Sequence, residues 1–493
     1  MAKGEYKTGG YRISDIYQGS YSSLTPRSEY VTAGSLGMTT DPRSANILKE
    51  VSEKLSSGVK AIEVEGVSPE VFDSIPKQYF KEVNRMAKLT GVDVSLHGPV
   101  MDVAGMSQQG FSEASREAAE RKVAETLLRS HELNPSGNIT VNFHSAEGIQ
   151  GSQFLPFSEI EKLKKEGIES KYKRIIAVNK ESGRMIPLEP EIKYYPGMET
   201  KELEKGMHET PEEKLGKWNS SEWENSINQV FFNQERAQEI LGKNQVQIQH
   251  LFDSINEMRE RKMDMIEINK TLSPSQKQAY SNFMSANNYL EDVYQQVNAL
   301  FSKAYEFGTN EQKDQLKNLN VEFRQEMEKN GKDPFGRAQA IRFLTNELKK
   351  REFVPEMYTK IEDFAMEKSA QTFGNAAWQS YKKFKDSAPI LVIENPPAGF
   401  ALSTGEDIKG IVEASRKKFV ENAKKEGMGE REAERTAEKF IGATWDVGHI
   451  NMLRKYGYKE EDIVKETEKV AHLVKHVHLS DNFGFEHTEL PMG

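Results

Sequence analysis

From Val31 onward the chain alternates short apolar runs with amphipathic helical stretches, and this alternation predicts its framework. Residues 32–37 (T-A-G-S-L-G) read as a first strand, after which Asp41-Pro42 should cap a helix reaching Ser56, with proline at the first helical position. Residues 59–65 (V-K-A-I-E-V-E), 92–97 (V-D-V-S-L-H) and 138–144 (N-I-T-V-N-F-H) read as the next three strands, with helices over 76–89 and 112–133 between them. Strands separated by helices at this spacing imply parallel βα units. The pattern stops near Gly148 and resumes after Pro355 with a helix to about Lys385. A fifth strand over 389–394 (P-I-L-V-I-E), a sixth over 442–446 and a seventh over 475–479 follow, with helices at 407–425, 430–439 and 460–473.

The segment between the two halves has a different period. Residues 172–178 and 185–195, separated by N-K-E-S-G-R, read as a hairpin. From Thr210 the sequence turns into long Gln-, Glu-, Lys- and Asn-rich helical stretches without proline between Pro211 and Pro274, and Ser273-Pro274-Ser275-Gln276 matches a capping box. Breaks at Gly308 and Pro334 suggest four helices. The expected organisation is an irregular arm over 1–30, an α/β (β/α)8 TIM barrel over 31–147 and 356–493, and a hairpin plus helical bundle or arm inserted at 148–355, after strand four. Seven barrel strands are evident and an eighth is missing, so the barrel is expected to be C-terminally incomplete. The insertion reads first as a helical hairpin or small bundle with solvated charged faces, and otherwise as a coiled-coil dimerisation arm or partner-binding surface. Because it leaves after strand four, its base is expected at the rim that carries barrel active sites, where it would lid the site or narrow its substrate range.

The polar residues that end the strands supply the candidate chemistry. Strand three ends in His97 before Gly98-Pro99, strand four in His144, strand five in Glu394 before Asn395-Pro396-Pro397, strand six in Asp446 with His449 three residues on, and strand seven in His478. In a (β/α)8 barrel the C-terminal strand ends carry the site and the interior below them is apolar packing. Five successive strand ends therefore offer imidazole or carboxylate donors at one rim, although Asp-x-x-His alone is a weak signal. His476 shares a face with His478 by the period of two and reads as a packed or hydrogen-bonded neighbour of the site. His487, beyond strand seven, stands open between ligand and loop surface. Glu486 reads as solvated, and His131, His208, His250 and His472 receive no role.

Composition narrows the choices. The 493 residues contain no cysteine, which removes disulfides, thiolate nucleophiles and cysteine zinc sites and leaves His, Asp and Glu as metal ligands. A net charge of -9 gives no general attraction to nucleic acid, so phosphate recognition would have to be local. With 29% charged residues and a mean hydropathy of -0.70, no membrane span is expected. The first thirty residues lack the basic and apolar regions of a secretion signal, and a cytoplasmic location is expected.

The motifs S-L-H-G-P, N-F-H-S, V-I-E-N-P, W-D-V-G-H and H-V-H-L-S-D-N, in that order, resemble the xylose isomerase-like TIM barrel superfamily, and within it the endonuclease IV (AP endonuclease family 2) pattern. The resemblance covers about half of the chain. It implies a DNA-repair hydrolase that cleaves a phosphodiester, at an abasic site in DNA or in a related phosphate ester, by means of a hydroxide generated on two or three zinc ions. By motif, the metal ligands would be His97, His144, Glu394, Asp446, His449 and His478, with Glu394 bridging metals and acting catalytically. His487 is all that remains of the family's Asp-x-His element, found here as Phe485-Glu486-His487. Two positions depart from the pattern: Val100 stands where the family keeps an aromatic that probes the DNA stack, and no arginine follows strand two. The same superfamily implies an alternative, a sugar or sugar-phosphate isomerase or epimerase with one Mn, Mg or Zn ion held by Glu394, Asp446 and His478. A third expectation is a non-catalytic scaffold working through the helical insertion. The partners implied are a phosphate-containing substrate, damaged DNA included, and a partner or second copy on the insertion.

Overall fold

The computed structural model describes residues 36–487 apart from 108, 156, 263, 331–333 and 352, together with the short pairing of Lys7–Thr8 with Tyr11–Arg12. The rest of the expected N-terminal arm lies outside the described residues. Among the described residues no helix is long and apolar enough to cross a membrane.

Seven parallel strands form one sheet in strict sequence order: β1 (Gly37–Thr39), β2 (Ala61–Glu65), β3 (Asp93–His97), β4 (Thr140–His144), β5 (Ile390–Glu394), β6 (Ile441–Asp446) and β7 (Val474–His478). Helices follow the strands, among them α1 (Ile47–Ser56), α2 (Lys77–Thr90), α3 (Glu113–Ser130), α4 (Ile361–Phe384), α5 (Gly405–Lys425), α6 (Glu430–Phe440) and α7 (Glu460–Val470). One face of the sheet is apolar: Val64, Leu96, Val141, Phe143, Leu391, Ile393 and Ala443 are buried in a core completed by helical residues such as Phe373, Ile411 and Phe419.

The sheet is strongly curled. In a flat sheet β2 and β7, five strand steps apart, would stand about 24 Å from each other at about 4.8 Å per step. Instead the His478 side chain on β7 reaches the Glu63 carboxylate on β2 at 2.9 Å. The mixed α/β architecture is thus a seven-stranded parallel half-barrel, and the face carrying Glu63 and His478 is its concave side.

The elements differ from the sequence expectation in several places. The first strand is described over Gly37–Thr39, residues 32–35 of its expected range lying outside the described residues, and Asp41-Pro42 forms a turn closed by Ser44 N–H to the Asp41 carbonyl (3.1 Å). The Asp41 carboxylate is engaged by Arg43, so Asn46 becomes the cap of α1, accepting from the Lys49 N–H. A short helix, Pro69–Ser74, capped by Ser68, precedes α2. The hairpin forms between Tyr172–Asn179 and Met185–Leu188, but its second arm ends there, and Glu191–Lys193 pairs with Met207–Glu209 instead.

The described residues divide into two compact units, one within Met1–Glu212 and Thr359–Gly493, the other within Glu213–Tyr358. The expected segment 148–355 is therefore split. Residues 148–212 belong to the sheet unit because Ile176 and Val178 are buried in its core and Ser152 is tied to Glu362 of α4 through its N–H (2.6 Å) and hydroxyl (3.0 Å). The second unit is helical, built from most of Pro211–Lys243 and from Gln245–Glu260, Met265–Thr271, Pro274–Phe307, Asn310–Asn330 and Pro334–Lys350. These six helices replace the expected four, because breaks also fall at Asn244, two residues after Gly242, and around Lys262 (φ 62°), which neither proline nor glycine marks. The capping box at Ser273 is formed in both directions, Gln276 N–H to Ser273 Oγ (3.3 Å) and Ser273 N–H to Gln276 Oε1 (2.9 Å).

Candidate metal centre

The concave face owes its character to the period of two. Strand registers align Glu63 with Ser95, Glu65 with His97, Glu394 with His144, Thr444 with His476 and Asp446 with His478. These residues point the same way. A half-barrel interior expected to be apolar below its rim is therefore lined by Glu63, Ser95, Asn142, Thr444 and His476 one layer down.

Glu394 is the hub. Its carboxylate is 1% exposed, and its ion pairs among the described residues are all with histidines. Oε2 faces His97 Nε2 (3.4 Å) and His144 Nε2 (3.5 Å), while Oε1 faces His478 Nδ1 (2.9 Å) and His449 Nδ1 (3.7 Å). Burial pushes the Glu394 carboxyl up, but the charges of His478 and His144 and the hydrogen bonds of His478 and His97 prevail, holding it well below the usual carboxylate range. Burial likewise opposes the charged form of His97, yet the hydrogen bond and charge of Glu394 push it up to about 9.

Neighbouring groups fix each imidazole. His97 donates from Nδ1 to the Gly98 carbonyl (2.8 Å), which leaves Nε2 for the cavity, and His144 Nδ1 pairs with Glu147 (3.1 Å). The backbone can turn tightly after β3 because Gly98 has no side chain: a Cβ there would lie 2.3 Å from the Phe143 ring. Asp446 ends β6 and caps the short helix Val447–Asn451 by accepting from the His449 N–H (2.7 Å), and this turn brings His449 back toward the cavity. His449 Nδ1 donates to the Asn395 carbonyl (2.8 Å), and its Nε2 lies 2.8 Å from His487 Nε2. Burial holds His449 below the ordinary imidazole range, against the charge of Glu394.

All seven residues singled out from the sequence meet here. Among the described residues, three donor sets have ligand atoms within 4.8 Å of one another: His97, His144 and Glu394; Glu394, Asp446 and His449; and Glu63, His476 and His478. His478 is linked to the second set through Glu394 (2.9 Å) and Asp446 (3.9 Å), and His487 through His449. His476 is hydrogen-bonded, as expected, with its Nε2 on Glu63 Oε2 (2.9 Å). A divalent cation fits this donor chemistry, since several imidazoles and carboxylates converge on a buried face whose anionic hub is paired, among the described residues, with imidazoles.

Sequence reasoning missed Glu63, Glu65, Asn142 and Asn395. A signal was present in A-I-E-V-E, where two glutamates sit two residues apart on a strand otherwise apolar enough to be buried. Asn142 donates to Glu394 Oε2, and Asn395 brackets the Asp446 backbone. Glu65 is pushed up to about 7, first by burial, with the attraction of His97 opposing.

No protein-family model, curated protein or solved structure matches this chain.

Proposed function

We propose that the protein is a metal-dependent hydrolase of the endonuclease IV-like type that cleaves a phosphodiester, with the curled sheet read as seven strands of a (β/α)8 barrel. The observation that carries this reading is the division of labour at Glu394: one oxygen faces His97 and His144, the other His478 and His449. A carboxylate presented to two donor sets suits a bridge between two cations about 3.5–4 Å apart, the arrangement used to clamp a phosphoryl group. His97 and His144 would hold one ion with Glu394, and Asp446 with His449 or His478 another. Zinc is the metal best matched to these imidazole and carboxylate donors. Bound there, it supplies Lewis-acid stabilisation of a phosphoryl oxygen and makes water acidic enough to act as nucleophile at neutral pH.

The chain's own residues provide positioning and proton handling. Glu147, Gly98 and Asn395 fix the ring orientations of His144, His97 and His449, and Asn142 holds the Glu394 carboxylate in place. Glu65, on the concave face beside His97 and titrating near neutrality, can take up or release a proton during turnover. The same residue supports a second reading, a sugar or sugar-phosphate isomerase or epimerase, because an exchangeable proton on a buried carboxyl is what such chemistry needs.

The deciding experiment measures metal content and turnover together. We expect about two or three zinc ions per chain, cleavage of a duplex containing an abasic site or of bis(p-nitrophenyl) phosphate, and a loss in Glu394→Gln greater than the 100-fold typical of an outer partner. One ion with aldose–ketose interconversion and no phosphodiester cleavage would replace this reading by the second. A chain that holds no metal would end both.

A further inference from the structure

The third donor set shares His478 with the Glu394 hub, but its other two members, Glu63 and His476, hold none of the ligand roles assigned above. Glu63 on β2 faces two histidines on β7: His476 Nε2 lies 2.9 Å from Oε2, and His478 Nε2 lies 2.9 Å from Oε1. His-x-His on a strand places two imidazoles on one face, and here their rings are 5.1 Å apart. Ser95 donates to Glu63 Oε2 (2.7 Å) and fixes the carboxylate rotamer. His476 remains a quarter exposed and His478 a fifth, so an ion can enter from solvent.

We propose that Glu63, His476 and His478 form a second divalent-metal site, which pins β7 to β2 across the open side of the half-barrel. His478 is oriented for this. Its Nδ1–H donates to Glu394 Oε1 (2.9 Å) while its Nε2 points at Glu63, so a cation taking the place of the proton on Nε2 gives the carboxylate–imidazole–metal chain that orients ligating histidines. His478 then serves the Glu63 site through one nitrogen and the Glu394 hub through the other. The set supplies two nitrogens and a carboxylate, three ligands that suit zinc and leave a position for water. Its role is mechanical: β2 and β7 are five steps apart in the sheet, and a shared ion fixes the curl that brings the remaining donors together. The inference does not depend on hydrolysis, because a chain that cleaves no phosphodiester can still bind this ion.

The test titrates Zn2+ alone into EDTA-stripped full-length protein and follows both the equivalents bound and the zinc-induced rise in Tm. We expect His476→Asn and Glu63→Gln each to bind one equivalent fewer than wild type and to lose most of the Tm rise. His476→Asn changes a partly exposed strand residue, so it carries the test should Glu63→Gln fail to fold. If both equivalents and Tm rise match wild type in folded His476→Asn, the three residues are only a hydrogen-bonded cluster and the proposal is overturned. That result is distinguishable from failure of the hydrolase reading, which is measured by substrate cleavage in the unmodified protein.

Discussion

Asn395 has no donor role toward a cation, yet the Asp446–His449 turn depends on it. Its side chain accepts from the Asp446 N–H (2.8 Å) and donates to the Asp446 carbonyl (3.0 Å), and its own carbonyl receives His449 Nδ1. All of these groups are buried, so Asn395→Ala leaves two backbone groups unpaired at a cost of about 2–4 kcal/mol. We expect a lower midpoint in urea and a zinc affinity reduced about 10–100-fold, as for other groups that orient ligands. Unchanged values in both measurements would refute the role. A second residue carries a pH signature. Asp102, in the loop after β3, is pushed up from 3.8 to about 7 by burial, against the backbone N–H groups of Met106, Gly105 and Ala104 that favour its ionised form. Because the fold binds this proton more tightly than the unfolded chain does, the contribution is complete below the unfolded value of 3.8 and is lost as pH rises through about 7. Asp102→Asn removes that dependence. Relative to wild type the variant should be more stable at pH 8 than at pH 5 by about 1–2 kcal/mol for a carboxyl with some solvent contact, measured by urea unfolding.

Among the elements, β3 to β7 were the most legible, because each ends in a ligand-type side chain. His97, His144, Glu394, Asp446 and His478 could be placed on one rim from that pattern alone. Glu63 and Glu65 could not, since a carboxylate within a strand reads as solvent-facing until the curl turns that face inward. The helical unit was legible in kind but not in number. In Pro274–Phe307, the buried residues Ala286, Leu290, Val293, Val297, Leu300 and Ala304 alternate by four and three, a coiled-coil seam, and here they pack into the core of their own unit. The turn after β3 gives the test at this scale. Gly98→Ala drives a methyl into the Phe143 ring, itself packed against Phe373, so either the ring or the end of β3 must move. Overpacking of this kind costs about 1–3 kcal/mol. If His97 is what moves, zinc binding weakens along with stability, and Phe143→Leu in the same chain should recover both. Recovery of stability without recovery of zinc affinity would show that the turn, not the ring, sets the His97 position.

At the scale of the whole molecule, the two units have separate cores. Trp223, Ile227, Val230, Leu290, Val293, Ile341 and Leu344 are buried together in the helical unit, while the sheet unit is closed by the residues between its strands and helices. The start and end of the helical unit are also stapled together. Asn219, near its beginning, donates to the Tyr358 carbonyl (2.9 Å) and accepts from the Tyr358 N–H (2.7 Å) at its last residue. A segment with its own core and adjacent ends has what it needs to fold alone, and at its length the buried area can offset the chain entropy. We therefore expect residues 213–358, expressed separately, to give a helical circular-dichroism spectrum and one cooperative thermal transition. The same construction predicts that Asn219→Ala loosens the staple and lowers that transition, since it leaves the Tyr358 N–H and carbonyl without their partner at a cost of about 1–3 kcal/mol. A segment that melts gradually, or whose transition ignores Asn219→Ala, would mean that its helices depend on the sheet unit to stay packed.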